Sequence, residues 1–415
     1  MIMNLTLNNI AVIQEAKIEL DGITVLAGYN GTGKSTISKA LYSIISAYVN
    51  LPEKISNARM NSVHKIITAF IDQVEGGFFF EDDKNWERVS LLTKQFINKE
   101  KRVPQNIEEF IALCPELFED VDRAEASEYF PQFIAQLQDA IDRPDKRYIE
   151  FLVGETIRDS FDSQVNTVGD TQRGEIHLAH NAMEIYTIFD QNKVVECSEM
   201  SLKERLPIYI EPKHLLDDLQ NGHRRFQPKR LTPLQRILLS ERAAASERTL
   251  EDHEQREFIL ERMDSVIHGG LVSTKSSLAF MDENCNDLIS LKNVASGNKT
   301  VAVLKRLVEN GAIYSNSILI IDEPEMNLHP AWQLKMAEIL VLLNCKIGVK
   351  VFLNTHSPYF LRAIEVFSEK YETTERCHYY KTEPSDMKRN MYKTIDVTEK
   401  TELVYHDLYM PFEEM

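Results

Sequence analysis

Residues 28–35 read Gly28-Tyr29-Asn30-Gly31-Thr32-Gly33-Lys34-Ser35, and this stretch decides the fold. It follows the apolar segment Ile23–Ala27 and precedes a helix-forming segment, residues 38–49. The spacing GxxxxGK followed by Ser or Thr, between a strand and a helix, is typical of a loop that holds the phosphates of a nucleoside triphosphate. Successive backbone N–H groups turn inward there, and the positive end of the helix points to the same place. A glycine turn that matches by chance is the alternative, and the strand-to-helix context counts against it.

This loop, the P-loop, carries side chains with predictable chemistry. We expect the following residues to bind the nucleotide: Asn30, Gly31, Thr32, Gly33, Lys34, Ser35 and Thr36. Lys34 supplies a positive charge to the β- and γ-phosphates, so we also assign it to the catalytic set. The Ser35 hydroxyl is a natural ligand for Mg²⁺. The motif therefore predicts a nucleoside triphosphate bound together with Mg²⁺.

A second apolar run ends in two acids. Residues 317–324 read SILIIDEP, which is typical of a buried parallel strand followed by a turn. Asp322 at the strand tip is the residue type that holds Mg²⁺, and Glu323 directly after it can polarise the attacking water as a general base. A strand that ends in a solvated acidic turn is the alternative, and the presence of a P-loop weakens it.

A third apolar run, residues 349–355, leads into His356-Ser357-Pro358. We predict that His356, at a strand tip, contacts the γ-phosphate or the attacking water; a structural histidine is the alternative. Ser357 is predicted to cap the following helix, and Pro358 to be its first residue.

A fourth candidate lies at Asn293–Lys299, in front of the helical run 300–310. Ser296 is predicted to cap that helix, and Gly297 permits another part of the chain to approach closely. A helix N-terminus with Ser and Gly can bind an anion, so we include both residues among the nucleotide-binding candidates. A purely structural turn is the alternative for this segment taken alone.

The amino-acid composition restricts the kinds of partner that the chain can bind. The 415 residues include 47 basic and 64 acidic side chains, a formal net charge of −17, and 43% hydrophobic residues. Wholesale disorder is excluded, and a surface that wraps duplex DNA is disfavoured because such surfaces are basic. A local DNA contact is predicted only at the basic cluster of Arg224, Arg225, Lys229 and Arg230. A solvated loop, or a dock for an acidic partner, is the alternative for this cluster.

The chain divides by pattern into five parts. They are an N-terminal lobe with P-loop and β-subdomain (1–45 and 166–230), a helical insertion (46–165), a helical or lid segment (231–292), a lobe with the acidic strand and His356 (293–370), and a C-terminal strand pair with tail (371–415). No apolar run is long enough to cross a membrane, and no secretory pattern begins the chain. The five cysteines are scattered without CxxC, so we expect a cytoplasmic protein.

The order of these motifs resembles that of ABC-type ATPases, in particular the soluble branch that contains RecF, SMC heads, and OLD-like and Septu-type bacterial defence ATPases. Residues 322–330, DEPEMNLHP, are similar to the DEPExxLHP stretch of the defence branch, most of all the Septu type. The block 353–361, LNTHSPYFL, is similar as well. The resemblance implies an α/β fold: an ATPase head with a mixed, mostly parallel sheet, an antiparallel β-subdomain and helical insertions. It also implies ATP as the nucleotide.

The resemblance further implies a head-to-tail dimer that encloses two ATP molecules. Ser296 and Gly297 of one subunit would then reach the γ-phosphate bound by the other subunit, and Asn327 and His329 would lie at the dimer seam. The signature segment, residues 295–299, departs from the usual LSGGQ because Asn298 and Lys299 replace its second Gly and its Gln. The Q-loop glutamine is not assigned, and Gln73 and Gln95 are two of several candidates.

At the level of function the resemblance implies an oligomeric ATPase that senses or gates a partner nuclease in anti-phage defence. The chain shows no HNH-like cluster and leaves no room for a Toprim domain, so we expect ATP hydrolysis as its own chemistry and an HNH-type partner chain. Two alternatives stay open. One is a RecF- or SMC-like ATPase of DNA repair, and the other is a nucleotide-binding scaffold with little turnover. A transporter ATPase is disfavoured by the long insertion.

Overall fold

The computed structural model describes residues 2–75, 83–98, 102–118, 123–181, 183–203, 206–213, 215, 232–240, 250–274, 278–283, 287–385 and 390–413. Two compact units form the chain. The first, the α/β unit, comprises Met1–Val49, Thr156–Ser198 and Lys203–Met415. The second, the helical unit, comprises Asn50–Glu155 and Glu199–Leu202. The five-part division by sequence pattern stays a prediction.

Three strands open the chain. They are β1 (Met3–Ile10), β2 (Ile13–Leu20) and β3 (Ile23–Ala27). β1 and β2 alternate between buried and more exposed residues, because one face of this antiparallel pair packs on the core. All five residues of β3 are buried, because this strand is covered on both faces.

β3 lies in the parallel part of the main sheet. Its neighbours are β12 (Lys350–Thr355) and β13 (Cys377–Pro384), and beyond β12 follow β11 (Ile318–Asp322) and β7 (Ile208–Ile210). All four pairings among these five strands are parallel. β11 and β12 consist entirely of buried residues, so these two apolar runs are central strands, as predicted.

The same sheet continues through β4 (Gly174–His180), β5 (Met183–Asp190) and β6 (Lys193–Cys197), an antiparallel meander beside β1. It also contains β14 (Tyr392–Asp396), which pairs antiparallel with β13 and parallel with β2. The strand order over the described residues is β6-β5-β4-β1-β2-β14-β13-β3-β12-β11-β7. The predicted C-terminal strand pair is therefore confirmed, and it is inserted in the middle of the sheet.

A second, small sheet is antiparallel. It contains β8 (Gly269–Ser273), β9 (Leu278–Asp282) and β10 (Leu288–Ile289). The α/β fold with a mixed sheet, antiparallel strands and helical insertions is thus confirmed.

The helices of the described residues are α1 (Lys34–Tyr48), α2 (Leu51–Glu75), α3 (Asp83–Ile97), α4 (Ile107–Leu113), α5 (Arg123–Asp142), α6 (Asp145–Ser160), α7 (Pro233–Leu239), α8 (Leu250–Asp264), α9 (Ser296–Glu309), α10 (Pro330–Leu342), α11 (Pro358–Lys370) and α12 (Glu402–Glu413). Within the helical unit, Phe70 stacks on Phe133 with ring centroids 4.2 Å apart, at the centre of an apolar cluster. Within the described ranges, no helix combines the length and the apolar character that crossing a membrane requires.

Candidate functional site

The carboxyl ends of the parallel strands bring the predicted motifs to one edge of the sheet. Asp322 at the end of β11 pairs with Asn354 on β12, and Thr355 pairs with Ala27 at the end of β3. The P-loop follows Ala27 and His356 follows Thr355, so motifs that are hundreds of residues apart in sequence meet here. Ligands of open α/β sheets bind outside this end of the strands.

The P-loop enters α1 through Gly33. This residue has φ +88°, and a Cβ atom placed on it would lie 2.5 Å from Ile13 Cδ1, so only glycine fits. No side chain caps the N-terminus of α1. The first backbone N–H groups of the helix are therefore left for a ligand, and the helix dipole makes that position favourable for an anion.

Lys34 lies inside the loop. Its side chain is buried, and its Nζ donates to the carbonyl oxygens of Gly28 at 2.8 Å and Tyr29 at 2.7 Å. Burial lowers the pKa of the Lys34 ammonium, and the carboxylates of Glu323 and Asp322 oppose that shift. The assignment of Lys34 to the β- and γ-phosphates stays a prediction; the structure places its ammonium inside the loop, near these two acids.

Asp322 is buried and accepts several hydrogen bonds. Ser38 Oγ donates to its Oδ1 at 2.5 Å, Asn354 Nδ2 donates to the same oxygen at 2.6 Å, and Tyr209 OH donates to Oδ2 at 3.1 Å. Burial raises the pKa of the Asp322 carboxyl, and hydrogen bonds that include one from Ser35 lower it. The two predicted Mg²⁺ ligands, Ser35 and Asp322, therefore lie next to each other.

Glu323 and His356 form the second pair of the site. The Glu323 carboxylate Oε1 lies 3.2 Å from His356 Nδ1, and both side chains are partly exposed. Glu323 has φ +51°, a left-handed conformation that is held by a hydrogen bond from its N–H to Asn354 O at 2.9 Å. Such backbone strain in a residue other than glycine costs about 1–3 kcal/mol and is concentrated at functional sites.

A cavity of about 840 Å³ opens over this edge. Asn30 and Gly31 line it from the P-loop, together with Glu323, Glu325, His356 and Lys213. Its lining thus includes both acidic and basic groups.

The sequence prediction missed several of these residues. Lys213 follows β7, a strand of three residues that gives almost no periodic signal. It is exposed, lines the cavity and has no ion pair among the described residues. Ser38, Asn354 and Tyr209 were missed because their contact with Asp322 depends on the order of the strands. Of the missed residues, only Glu325 could have been found from the sequence, because it lies within the motif DEPEMNLHP at residues 322–330.

The signature segment differs from its prediction in one respect. The N-cap of α9 is Ala295, Ser296 is the first helical residue, and no side chain caps the helix. The prediction that Ser296 caps α9 is therefore wrong, because a hydroxyl within the first turn is past the position from which it could accept these N–H groups. Ser296 is exposed, whereas Lys299 is buried and has no ion pair among the described residues.

Gly297 makes the close approach that the sequence predicts. A Cβ atom placed on it would lie 2.6 Å from Leu328 Cδ2 and 2.9 Å from Asn327 O, so the start of α9 packs directly on the turn after the acidic strand. Among the described residues, Ser296 and Gly297 are not part of the cavity lining with the P-loop.

The helices after β11 and β12 begin with capping side chains. Ser357 Oγ accepts a hydrogen bond from Phe360 N at 3.1 Å, with Pro358 as the first helical residue of α11, so this prediction is confirmed. His329 Nδ1 accepts from Ala331 N at 3.3 Å and caps α10, where the resemblance implies only a seam residue.

Two further predictions concern other parts of the chain. Gln73 and Gln95 lie on α2 and α3 of the helical unit. In the α/β unit, β11 lies between β12 and β7, and the described residues directly after β7 are Glu211, Pro212 and Lys213. The basic cluster at 224–230 lies outside the described residues.

Comparison with known proteins gives one family. The profile described as "AAA domain, putative AbiEii toxin, Type IV TA system" matches residues 23–362. No curated protein matches the chain.

Several solved structures are similar over nearly the whole chain. An Smc head bound to the C-winged helix domain of ScpA gives a TM-score of 0.45 at 11% identity, with 97% of this chain and 99% of that chain covered. The SMC head domain from Thermotoga maritima gives 0.36 at 10% identity, with 95% and 98% covered. An ATP-binding cassette of an ABC transporter, in its ADP conformation, gives 0.32 at 11% identity, with 99% and 96% covered.

Proposed function

Because the chain belongs to the AAA family whose description is quoted above, we propose that it binds ATP with Mg²⁺ and hydrolyses it at the carboxyl edge of the parallel strands. The observation that carries this proposal is the convergence of Lys34, Asp322, Glu323 and His356 on one edge of the sheet. A coincidental glycine turn would not require these four side chains to meet.

The residues present suit a triphosphate and its metal ion. The uncapped N-terminus of α1 and the Lys34 ammonium provide the positive charge that the β- and γ-phosphates need. The Ser35 hydroxyl and the Asp322 carboxylate, which are in contact, are the oxygen donors that Mg²⁺ prefers. When bound, the ion neutralises charge on the phosphate oxygens.

Glu323 is the better candidate for the general base. Asp322 is buried and its two carboxylate oxygens accept from Ser38, Asn354 and Tyr209, which leaves it fixed as a ligand. Glu323 faces the cavity and takes a proton from the attacking water at its carboxylate. His356, 3.2 Å from Glu323 Oε1, orients this carboxylate and offers its other ring nitrogen to the γ-phosphate or the water.

The test of hydrolysis is a comparison of wild type with Glu323→Gln. We expect Mg²⁺-dependent ATP turnover in wild type and a loss of about 10²- to 10⁴-fold in the variant, because the amide cannot accept the proton. The affinity for ATP should be retained, since no phosphate contact is removed. Equal turnover in both proteins, with unchanged ATP affinity, would support the scaffold alternative instead.

We further propose that a second copy of the chain completes the site. The start of α9 supports this: its N–H groups are uncapped, Ser296 is exposed, and Lys299 is buried nearby without an ion pair among the described residues. These are the properties of a surface that accepts an anion from another molecule. Asn327 and His329, both exposed after the acidic strand, would lie at the same seam.

The biological role that we propose is regulation of a partner nuclease, of the HNH type, in anti-phage defence within the cytoplasm. The stretch 322–330 supports this role through its similarity to the defence branch. The family description mentions a putative toxin, so growth arrest by the chain alone is the competing role. Expression alone and together with its genomic neighbour separates them. Arrest only on co-expression with a nuclease supports regulation, whereas arrest by the chain alone favours the toxin role.

A further inference from the structure

Glu325 is a buried acid that the hydrolysis scheme leaves without a role. It lies three residues after Asp322, is 5% exposed and lines the cavity over the site. Its Oε1 accepts a hydrogen bond from Thr355 Oγ1 at 2.6 Å, whereas its Oε2 is buried without a hydrogen-bond partner. A buried carboxyl with one satisfied and one unsatisfied oxygen is costly, so its retention needs a reason.

Thr355 connects this carboxyl to the turn that carries His356. Thr355 Oγ1 accepts from the backbone N–H of Ser357 at 3.0 Å, so its own proton is directed to Glu325. The chain of hydrogen bonds therefore holds the residues on both sides of His356. On its other side, His356 Nδ1 lies 3.2 Å from Glu323 Oε1.

We propose that Glu325 is a positioning residue: through the Thr355 hydroxyl it holds the strand-to-helix turn so that the His356 imidazole faces Glu323. This inference rests on the proposed ATP hydrolysis, because it assigns Glu325 to the same site. Glu325 acts through Thr355 and His356.

The charge of the site favours positioning over a second base. Burial raises the pKa of the Glu325 carboxyl, although the hydrogen bond from Thr355 opposes this shift. Burial thus disfavours a second ionised carboxylate beside Glu323, and one oxygen of Glu325 is already committed to the Thr355 hydroxyl. For positioning, only the acceptor oxygen that faces Thr355 is needed, and a glutamine side chain keeps such an oxygen.

The experiment compares four variants in the full-length chain: Glu325→Gln, Glu325→Ala, Thr355→Ser and Thr355→Val. We expect Glu325→Ala and Thr355→Val each to lower kcat by about tenfold with KM changed by less than about threefold, because one buried hydrogen bond is lost. Glu325→Gln and Thr355→Ser should retain most of the activity. The double variant Glu325→Ala with Thr355→Val should be no slower than either single variant, because both remove the same bond.

A second readout is independent of turnover. In nucleotide-free protein labelled with ¹⁵N-histidine, the imidazole signals of His356 are assigned by their loss in His356→Ala. Glu325→Ala and Thr355→Val should shift these signals alike, and Glu325→Gln should leave them near the wild-type positions. If wild type fails to hydrolyse ATP, the proposed function fails, and this measurement still decides the role of Glu325.

The matched control is Tyr371→Phe, which removes another hydroxyl-to-carboxylate hydrogen bond, from Tyr371 OH to Glu338 Oε1 at 2.5 Å. Neither residue is part of the cavity lining among the described residues. We expect no change in kcat or in the His356 signals. Unshifted His356 signals in Glu325→Ala, additive losses in the double variant, or a loss in Glu325→Gln equal to that in Glu325→Ala would each overturn the proposal.

Discussion

The starts of α1 and α9 are alike in one respect and differ in another. Both helices begin without a capping side chain, whereas α10 and α11 are capped by His329 and Ser357. At α1, the uncapped end lies with Lys34 and with the Ser35–Asp322 contact in the same chain. At α9 the corresponding features are an exposed Ser296 and the buried Lys299, with no carboxylate paired to that lysine among the described residues.

We propose that the two helix starts belong to two kinds of binding site. The start of α1 would belong to a site formed within one chain, and the start of α9 to a site completed by another chain. Uncapped N–H groups must find a partner, which is a ligand, water or another molecule. At α1 the helix start itself provides Lys34 and Ser35, and strand β11 provides Asp322, the residues that we propose for a triphosphate and its metal ion. At α9 the described residues show only an uncapped helix start with Ser296 and Lys299, and we propose that its partner is the nucleotide held by a second copy. The variants below test the two ends separately.

Lys34→Ala should have the largest effect on the α1 end. It removes the buried ammonium that we propose to bind the phosphates, so we expect ATP affinity to fall by ~100-fold, equivalent to about 3 kcal/mol. Fluorescence anisotropy of a labelled ATP analogue, without turnover, measures this change. Lys39→Ala, which removes a partly exposed lysine on the same helix, is the control. An unchanged affinity in Lys34→Ala would contradict the P-loop assignment.

Ser296→Arg tests the α9 end. The long side chain at an exposed position should block the approach of a second copy, while ATP affinity of the single chain changes by no more than about twofold because the P-loop is untouched. Light scattering of a Glu323→Gln background, with and without ATP and Mg²⁺, measures the association. Glu261→Arg, an exposed position on α8, controls for added charge. ATP-dependent association that persists in Ser296→Arg would refute the role of α9 in the partner's site.

Lys213→Ala should have the smallest effect. Because this lysine is exposed, its attraction to a phosphate is screened, and we expect KM for ATP to rise by about threefold. Lys213→Arg should keep the wild-type KM. The difference between wild type and Lys213→Ala should shrink in high salt. A difference that does not depend on salt would show that Lys213 acts through the structure of the loop rather than through charge.

The sequence alone could predict those parts of the candidate site that are short, continuous motifs. The P-loop, Asp322–Glu323 and His356 each follow directly on an apolar run, and parallel strands place the ends of such runs at one edge of the sheet. The partners of Asp322 were not predictable, because Ser38 and Tyr209 reach it only through the order of α1, β11 and β7.

In the fold as well, contacts between segments that are distant in sequence were not predictable. The strands at both ends of the chain were predictable from the alternation of apolar and polar residues. The position of β13 beside β3 was not predictable, because the order of strands distant in sequence leaves no local pattern. There Thr382 donates to Thr32 of the P-loop at 2.6 Å, so the C-terminal part of the chain supports the loop directly. The error at Ser296 was of one residue: the helix begins at the serine instead of after it.

The most direct measurement is an experimental structure of Glu323→Gln with ATP and Mg²⁺. We predict that the β- and γ-phosphates lie at the start of α1 in contact with Lys34, that the metal ion lies between Ser35 and Asp322, and that His356 faces the γ-phosphate. Nucleotide density elsewhere, or phosphates that contact none of these side chains, would contradict the account.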